Sequence, residues 1–414
     1  MRKIIQLPVA LLAVAAILFG FPASAAYAED GDADGRALQI VSDMGDHERF
    51  PENSVPAIRS AVEQGADMVR LPVQKTADGV LVLSEDPDLS RLCGVDETPI
   101  ARLESARVLS LPMRVFYGGS VQTTDQTVPS LADVLKTFAG QTKFMLDFDF
   151  SIRDDVYAAV KNAGMTKDCS FVLRAGAKKA AAWKNTLDAP VKYWIYRKTN
   201  IIFSALSALK TAEEDSDGSV FFATSNAYGV IFGGSVGKRL SKTSGAAVRI
   251  SEKELAGKRL DTADYWDNLI ETGYNVLITD RVAALAEYRD ESVRARTALS
   301  EYTQTVKSTF QPEDLRSPAY RKMRFAYSNA MNDALRLSAK TFAGKAECEN
   351  AKFALSHAVD EIEMNHEKIL SGEADLRLTP GRILTAILTV AAFAALEIFI
   401  AKKRGGKTAR PKKT

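Results

Sequence analysis

The chain has 414 residues, of which 46% are hydrophobic and 26% are charged. This composition is that of a folded protein and excludes a disordered or collagen-like chain. Three cysteines are too few for a disulfide-dense scaffold, and three histidines argue against a histidine-rich metal centre. Cys93 and Cys169 could pair in an oxidising compartment, although buried free thiols are favoured. The length predicts two or three domains, one of which can be a barrel of about 250 residues.

The first 28 residues have the pattern of a secretory signal peptide. A basic dipeptide precedes an apolar run from Ile4 to about Phe21, and small residues end the segment at Ala28. A basic start, an apolar core and an Ala-x-Ala end are typical of secretion signals. We predict cleavage after Ala28 or after Ala25, with an uncleaved membrane anchor as the alternative.

A second apolar segment lies close to the C-terminus. Residues 383–401 are almost wholly apolar, with Glu397 the one charged residue, and at 1.5 Å per residue they reach about 29 Å, enough to cross a bilayer core. The tail 402–414 is strongly basic, and positive charge marks the cytoplasmic side of a membrane protein. We therefore predict a single-pass cell-membrane protein, with its body extracytoplasmic and its C-terminus cytoplasmic. A buried helix of a soluble domain is the alternative.

This topology changes the charge of the body. The whole chain has a formal net charge of +2. Without the two basic residues of the signal peptide, the seven of the tail and Glu397, 45 basic and 51 acidic residues remain, a net charge of −6. An acidic body argues against nucleic acid as a partner, and the tail is explained as a topology determinant.

The segment 36–290 alternates β-rich runs with helical stretches. Such alternation over about 250 residues predicts an α/β fold with a parallel sheet, and the length favours a closed (β/α)8 TIM barrel over an open sheet. The predicted strands are 38–42, 67–71, 79–83, 144–148, 170–173, 191–195, 220–223, 247–250 and 275–279, and the predicted helices are 55–64, 131–138, 175–186, 202–210, 235–244 and 265–272.

Short motifs follow one another in a fixed order along this segment. Asp43-Met-Gly45 precedes Pro51-Glu-Asn-Ser54, Gly65-Ala-Asp-Met-Val-Arg-Leu-Pro-Val-Gln-Lys-Thr-Ala-Asp-Gly79, Glu85-Asp-Pro-Asp-Leu-Ser-Arg91 and a closing Thr279-Asp280. Their order and spacing resemble the glycerophosphodiester phosphodiesterase family. That family's pattern runs His-Arg-Gly, Pro-Glu-Asn-Thr, Gly-Ala-Asp-x-x-Glu-x-Asp-Val, Thr-x-Asp-Gly, His-Asp-Pro-x-Leu-x-Arg and a closing Thr-Asp. The resemblance covers about residues 38–288 and implies a TIM barrel.

The resemblance also implies a chemistry whose residues are replaced in this chain. The family uses two histidines, a Glu-x-Asp pair and a later Glu for metal-assisted cleavage of a phosphodiester. The two histidine positions are Asp43 and Glu85, and the Glu-x-Asp pair is Arg70-Leu-Pro72. The later Glu is Asp147, and the family's Lys two positions on is Asp149. We therefore expect no intact catalytic set.

Asp43, Arg70, Glu85, Asp147 and Asp149 are the candidate ligand-pocket residues, at or near the C-terminal mouth of the barrel. One interpretation is a rebuilt site for a cation or a cationic head group, and the other is a structural ion-pair cluster left after catalysis was lost. Counted together, the five groups carry a charge near −3, which would repel a phosphodiester anion. Asp147 is the one candidate metal ligand. No cofactor is expected unless a site for Mg²⁺ or Ca²⁺ has been rebuilt.

Residues 291–379 have the periodicity of three helices. Pro312 and Pro318 separate the first helix from the second, and Gly344 marks the next turn. This predicts a small three-helix module. The runs Tyr327–Leu335 and Ala351–Ala358 resemble the FIVAR-type modules of bacterial surface proteins. A spacer that holds the barrel off the membrane is the simplest role, and binding of a surface protein is the alternative.

Three classes of function remain open at this point. The first is a non-catalytic barrel on a bacterial cell surface that binds a small molecule, a lipid head group or a protein partner through its mouth. The second is an active phosphoric diester hydrolase with altered residues, which would release glycerol 3-phosphate and an alcohol in lipid metabolism. The third is a structural surface scaffold. A well-formed polar mouth with a bound ion would favour the first two, and a mouth sealed by salt bridges of Arg70 or by bulky side chains would favour the third.

Overall fold

A computed structural model of the chain describes residues 37–117, 119–197, 202–214, 220–224, 239–250, 261–309 and 320–370. The predicted signal peptide 1–28, transmembrane segment 383–401 and tail 402–414 lie outside these residues, as do residues 235–238 of the predicted helix 235–244; of its described part, only residues 239–240 are helical. Within the described ranges, none of the helices combines the length and the apolar composition that a bilayer crossing requires.

Eight parallel strands close into a barrel, which confirms the predicted (β/α)8 architecture. Each strand pairs with the next, and β1 closes the ring because it pairs with both β2 and β11. The barrel strands are β1 Gln39–Asp43, β2 Met68–Lys75, β6 Lys143–Phe148, β7 Cys169–Leu173, β8 Lys192–Arg197, β9 Val220–Thr224, β10 Ala246–Arg249 and β11 Val276–Thr279.

Helices follow the strands and cover the outside of the barrel. Ser54 begins α1 by accepting a hydrogen bond from the Ala57 amide, and Ser130 caps α4 in the same way. The helices of this layer are α1 Val55–Glu63, α4 Leu131–Phe138, α5 Arg153–Asn162, α6 Ala177–Lys184, α7 Ile202–Glu213 and α8 Ala263–Glu271.

The connection after β2 contains small elements that stand outside the ring. Strand β3, Leu81–Leu83, folds back antiparallel on β2, because the chain reverses at Gly79, whose φ is +89°. Two short helices, α2 Ser90–Cys93 and α3 Ser105–Val108, follow. A β-hairpin of β4, Pro112–Tyr117, and β5, Ser120–Thr127, completes the insertion.

The barrel interior has an apolar layer with a charged layer above it. Side chains two positions apart on a strand point to the same face. Five strands place an apolar interior residue two positions before a charged one; the pairs are Val41 and Asp43, Met68 and Arg70, Met145 and Asp147, Val172 and Arg174, and Ala247 and Arg249. The charged members therefore gather at the carboxyl ends of the strands, the end that we call the mouth.

Three longer helices follow the barrel: α9 Val282–Thr309, α10 Arg321–Ala339 and α11 Lys345–Leu370. The predicted turn at Gly344 lies between α10 and α11. Pro312 and Pro318 lie outside the described residues, and position 290/291, the predicted start of the module, lies inside α9. The FIVAR resemblance stays a prediction.

The chain divides into two compact units. The first contains the described residues from 37 to Tyr302 together with Asp333–Lys352, and the second contains the described residues of Thr303–Asn332 and those from Phe353 onward. In the second unit, Tyr320, Met323 and Ile362 form a small buried cluster. All three cysteines are buried and free, so Cys93 and Cys169 form no disulfide.

Candidate ligand site

Arg70 lies at the centre of the mouth, where three carboxylates surround its guanidinium group. Its Nη1 donates to Asp43 Oδ1 at 2.7 Å, and its Nη2 donates to Glu85 Oε2 at 2.9 Å. Its Nε and Nη2 both donate to Asp147 Oδ2, at 3.0 and 2.6 Å. The side chains of Arg70, Asp43 and Asp147 are each 3% exposed. The structure therefore brings four of the five candidate residues into one contact group.

Two further arginines complete this group, and neither was a candidate from the sequence. Arg249 Nε donates to Asp43 Oδ2 at 2.5 Å, and its Nη1 donates to Glu85 Oε1 at 3.0 Å. Arg174 binds Asp147 with two bonds, from Nε to Oδ1 at 2.8 Å and from Nη2 to Oδ2 at 2.7 Å. The mouth network consists of Asp43, Arg70, Glu85, Asp147, Arg174 and Arg249.

Asp149 does not belong to the mouth network. Strand β6 ends at Phe148, so Asp149 begins the following loop. There its carboxylate accepts hydrogen bonds from the backbone amide and the hydroxyl of Ser151, at 2.9 and 2.6 Å, and the side chain is exposed. The Ser151 hydroxyl holds the pKa of Asp149 below its ordinary value. Its place in the fold is that of a cap for the next turn.

The charge of the mouth also differs from the expectation. Three guanidinium groups face three carboxylates, so the mouth network is neutral instead of carrying a charge near −3. The expected value was wrong because Arg174 and Arg249 were not counted and Asp149 was. A neutral mouth network does not repel a phosphodiester anion as a charge near −3 would.

The two buried carboxyls of the mouth network, Asp43 and Asp147, stay ionised. Burial by itself opposes the charge on Asp43 and Asp147, but the neighbouring arginines outweigh it and hold the pKa of both carboxyls below the ordinary value. Burial likewise opposes the charge on Arg70, and its three carboxylate partners outweigh this and raise its pKa. The buried centre is thus a set of paired charges at neutral pH.

The loop that carries Glu85 is held from outside the barrel. Arg91 donates two bonds of 2.7 Å to the carboxylate of Glu52, and its Nε donates to Asp86 Oδ2 at 2.6 Å. The Ser84 hydroxyl donates to the carbonyl of Asp86 at 2.9 Å. These bonds join the two motif segments 51–54 and 85–91, and they position Glu85 beside Arg70.

The residues at the mouth do not fit the divalent cation that the family resemblance implies. The carboxylate of Asp147 accepts four hydrogen bonds from Arg70 and Arg174, three on Oδ2 and one on Oδ1, so two guanidinium cations stand beside the one candidate metal ligand. Arg70 is itself a cation and Pro72 offers no side-chain ligand. Across the described residues, no three histidine, cysteine or acidic side chains group in a way that could hold a metal ion.

No hydrogen bond or ion pair joins His47 to the described members of the mouth network. It follows β1 in the loop before α1, and its Nε2 is 3.3 Å from Oδ1 of Asp280, which follows β11. Asp43 and Glu85 occupy the two positions where the family's chemistry uses histidines.

A small pocket opens at the mouth beside the network. Its walls are formed by Arg70, Asp147, Arg174, Tyr196 and Arg249. Its floor consists of the apolar side chains Met145, Val172, Ala223 and Ile278. The volume is about 10 Å³, the space of about one water molecule. Among the described residues, the ion pairs of the mouth network surround this opening.

The fold and its mouth define a class of protein, a (β/α)8 barrel of the phosphodiesterase type. A sequence profile of the glycerophosphoryl diester phosphodiesterase family matches residues 45–284, more than half of the chain. The chain belongs to the glycerophosphoryl diester phosphodiesterase family.

Individual relatives match over shorter stretches. A glycerophosphodiester phosphodiesterase of Caldanaerobacter subterraneus subsp. tengcongensis is 40% identical over 52 residues, 13% of this chain and 21% of that protein. The protein YqiK of Bacillus subtilis is 30% identical over 115 residues, 27% of this chain and 44% of that protein. The matched stretches thus span less than half the length of either relative.

Solved structures of the family have also been compared with this chain. A glycerophosphodiester phosphodiesterase from Agrobacterium tumefaciens is 19% identical, covers 60% of this chain and 99% of its own, and has a TM-score of 0.46. One from Thermotoga maritima is 18% identical, covers 60% and 97%, and has the same TM-score of 0.46.

Proposed function

We propose that this protein is a non-catalytic member of its family, which binds a ligand or a partner at the barrel mouth. One observation carries the proposal. Arg70 stands where the family resemblance expects a metal-binding Glu, and it donates hydrogen bonds to Asp43, Glu85 and Asp147. The mouth network thus takes the place of a metal centre with paired side chains.

The two groups at the histidine positions are also poor acid–base catalysts. Asp43 accepts bonds from Arg70 and Arg249, which hold the pKa of its carboxyl below the ordinary range and make it a weak base. Glu85 bridges the same two arginines. Neither carboxylate is available to take a proton from water or to give one to a leaving alcohol.

Two other functions have specific support. Family membership supports an active phosphoric diester hydrolase, whereas the salt bridges of Arg70 with Asp43, Glu85 and Asp147 support a structural surface scaffold. Binding is favoured over pure scaffolding because two arginines of the mouth network are partly exposed: the side chains of Arg174 and Arg249 are 39% and 23% accessible. A scaffold needs no such groups at its mouth.

The decisive experiment is an assay for diester hydrolysis. The full-length chain, purified in a mild detergent, would be incubated with glycerophosphocholine and Mg²⁺ or Ca²⁺, and release of glycerol 3-phosphate measured. The Caldanaerobacter relative serves as the positive control. We expect no turnover above a protein-free blank, while circular dichroism shows a folded chain.

Matched variants distinguish an active hydrolase from the proposed non-catalytic protein. Turnover that disappears with chelator and in Asp147→Ala, but persists in Asp149→Ala, would show a working hydrolase and refute the proposal. Asp149 is the suitable control because it is an acidic residue two positions away that lies outside the mouth network.

The proposal includes a location on the outer face of a membrane. Its support is the pattern of residues 1–28 and the apolar segment 383–401 with its basic flank. A body held outside the membrane would present the mouth to extracytoplasmic small molecules, lipid head groups or surface proteins.

A further inference from the structure

The mouth network is arranged in two layers of opposite charge. The buried layer contains Asp43, Arg70 and Asp147, each 3% exposed, with one positive and two negative charges. The outer layer contains Arg174, Arg249 and Glu85, which are 39%, 23% and 25% exposed. Although the mouth network is neutral as a whole, the layer that solvent meets carries one net positive charge.

The two outer arginines keep hydrogen-bond donors that the mouth network does not use. Arg174 binds Asp147 through Nε and Nη2, which leaves its Nη1 group. Arg249 binds its partners through Nε and Nη1, which leaves its Nη2 group. Both side chains line the same pocket. A planar guanidinium suits the oxygens of phosphate and carboxylate groups, which accept two parallel N–H bonds.

The surroundings of the pocket strengthen such an interaction. The guanidinium carbon of Arg174 lies 4.9 Å from the ring centre of Tyr196, a stacking contact that orients its plane. The apolar floor lowers the local dielectric, which strengthens a charged hydrogen bond above it. A volume of about 10 Å³ admits about one oxygen atom, so the rest of a ligand would remain outside the pocket.

We propose that Arg174 and Arg249, with Tyr196 beside them, form a metal-independent site for the terminal oxyanion of a small ligand. The ligand group is a phosphate monoester or a carboxylate. This inference rests on the proposed non-catalytic function, because a working metal centre would occupy the same mouth. Glu85 is an example of this interaction inside the chain: its carboxylate accepts hydrogen bonds from Arg70 and Arg249 at 2.9 and 3.0 Å.

Calorimetric titration of the full-length chain tests the site, with EDTA present throughout. The probes are inorganic phosphate, glycerol 3-phosphate and acetate. We expect saturable binding of at least one probe, weakened about tenfold or more in Arg174→Gln, because a hydrogen bond to a charged group is lost. Glu85→Gln should bind more tightly, since it removes the negative charge that competes for Arg249.

Arg107→Gln is the matched control, because it also removes one guanidinium but lies outside the mouth, with a side chain 52% exposed. It should bind like the wild type. Binding of the two phosphate probes alone assigns a phosphate ligand, and equal binding of acetate assigns a carboxylate. Thermal melting followed by circular dichroism checks the folding of each variant. If Arg174→Gln does not fold, Arg174→Lys, which keeps a positive charge beside Asp147, takes its place with the same expected loss.

Three results would overturn the inference: no saturable binding to the wild type, equal losses in the mouth variant and Arg107→Gln, or binding that appears only when a divalent cation replaces EDTA. Failure here is distinct from failure of the proposed function. Hydrolysis of glycerophosphocholine would refute the proposed function, whereas absence of both turnover and binding would refute this inference alone.

Discussion

At the scale of single residues, the molecule depends on the pairing of Arg70. A buried ion pair that loses one partner leaves an uncompensated charge, which costs about 3–5 kcal/mol. Arg70→Met removes the guanidinium shared by Asp43, Glu85 and Asp147 while preserving most of the side-chain volume. We expect the free energy of unfolding, measured with urea on the full-length chain, to fall by about that amount.

Arg107→Met gives the matched comparison for Arg70→Met. Arg107 has a side chain 52% exposed and lies 3.9 Å from Asp96, so its pairing is screened by solvent. The same exchange there should change stability by less than about 1 kcal/mol. Equal effects of the two substitutions would mean that the mouth network contributes no more than a surface pair.

Because of the buried carboxylates, the free energy of unfolding should depend on pH. The pKa values of Asp43 and Asp147 are held below their ordinary values in the folded chain, against the effect of burial, by Arg70 and its neighbours. Their contribution is therefore present above the unfolded pKa of about 3.9 and is lost as the pH falls through the lower folded pKa. Urea unfolding between about pH 6 and pH 2 should show stability decreasing mainly below about pH 4.

The variant Asp147→Asn tests whether Asp147 causes this loss of stability at low pH. An amide cannot titrate, so the variant should start less stable at neutral pH and lose less stability as the pH falls. An acid dependence identical to that of the wild type would place its origin in other carboxylates.

The sequence predicts four members of the mouth network because they stand at motif positions of a known family. Arg174 and Arg249 stand at none of those positions, and the motif comparison therefore missed them. Strand alternation could have found them, since each lies two positions after an apolar interior residue, Val172 or Ala247. Alternation alone would have kept Asp149, two positions after Asp147; its absence from the mouth network follows from its hydrogen bonds to Ser151 in the loop after β6.

At the scale of elements, the connection from β1 to α1 is shaped by Gly45. Its φ is +85°, and a β-carbon there would lie 2.7 Å from the carbonyl carbon of Ala57 and 2.8 Å from the Ala57 β-carbon. Left-handed backbone costs about 1–2 kcal/mol for other residues, and a forced contact costs about 1–3 kcal/mol more. We expect Gly45→Ala to lower the free energy of unfolding by about 2–5 kcal/mol.

The variant Gly164→Ala separates the cost of left-handed backbone from the cost of a forced contact. The φ of Gly164 is +70°, but nothing lies within 4 Å of the position that a β-carbon would occupy. Gly164→Ala should therefore show the backbone cost of about 1–2 kcal/mol without the contact cost. If urea unfolding gives the same loss for both variants, close packing of Gly45 on α1 is not important.

The strands of the barrel are predictable from sequence because each is a short β-rich run, and all eight appear within two residues of the expected start. Helix α5 was not predicted; it begins with the charged run Arg153-Asp-Asp, and its apolar residues start only at Val156. The hairpin of β4 and β5 was also missed, because β5 is polar and largely exposed and so lacks the alternation of a half-buried strand. Local pattern identifies strands that bury a face, which β5 does not, whereas α5 buries Val156, Tyr157 and Val160 behind a charged first turn.

At the scale of the whole molecule, the distribution of charge predicts an orientation in a membrane. A total of +2 is nearly neutral, but the basic residues concentrate in the tail 402–414 and leave an acidic remainder. Basic flanks orient an apolar segment with the positive side in the cytoplasm. This orientation would set the mouth on the opposite side of the membrane from the tail, where a site for small oxyanions meets only extracytoplasmic ligands.

Labelling of cysteines with a membrane-impermeant maleimide tests this topology in intact bacterial cells. The native thiols Cys93, Cys169 and Cys348 are buried and free, so background labelling should be low. Gln122→Cys lies on an exposed position of β5, and it should react before lysis. Thr414→Cys, at the end of the tail, should react only after lysis, because the membrane shields it. Reaction of both cysteines in intact cells, or of neither, would contradict the single-pass orientation and with it the extracytoplasmic position of the mouth.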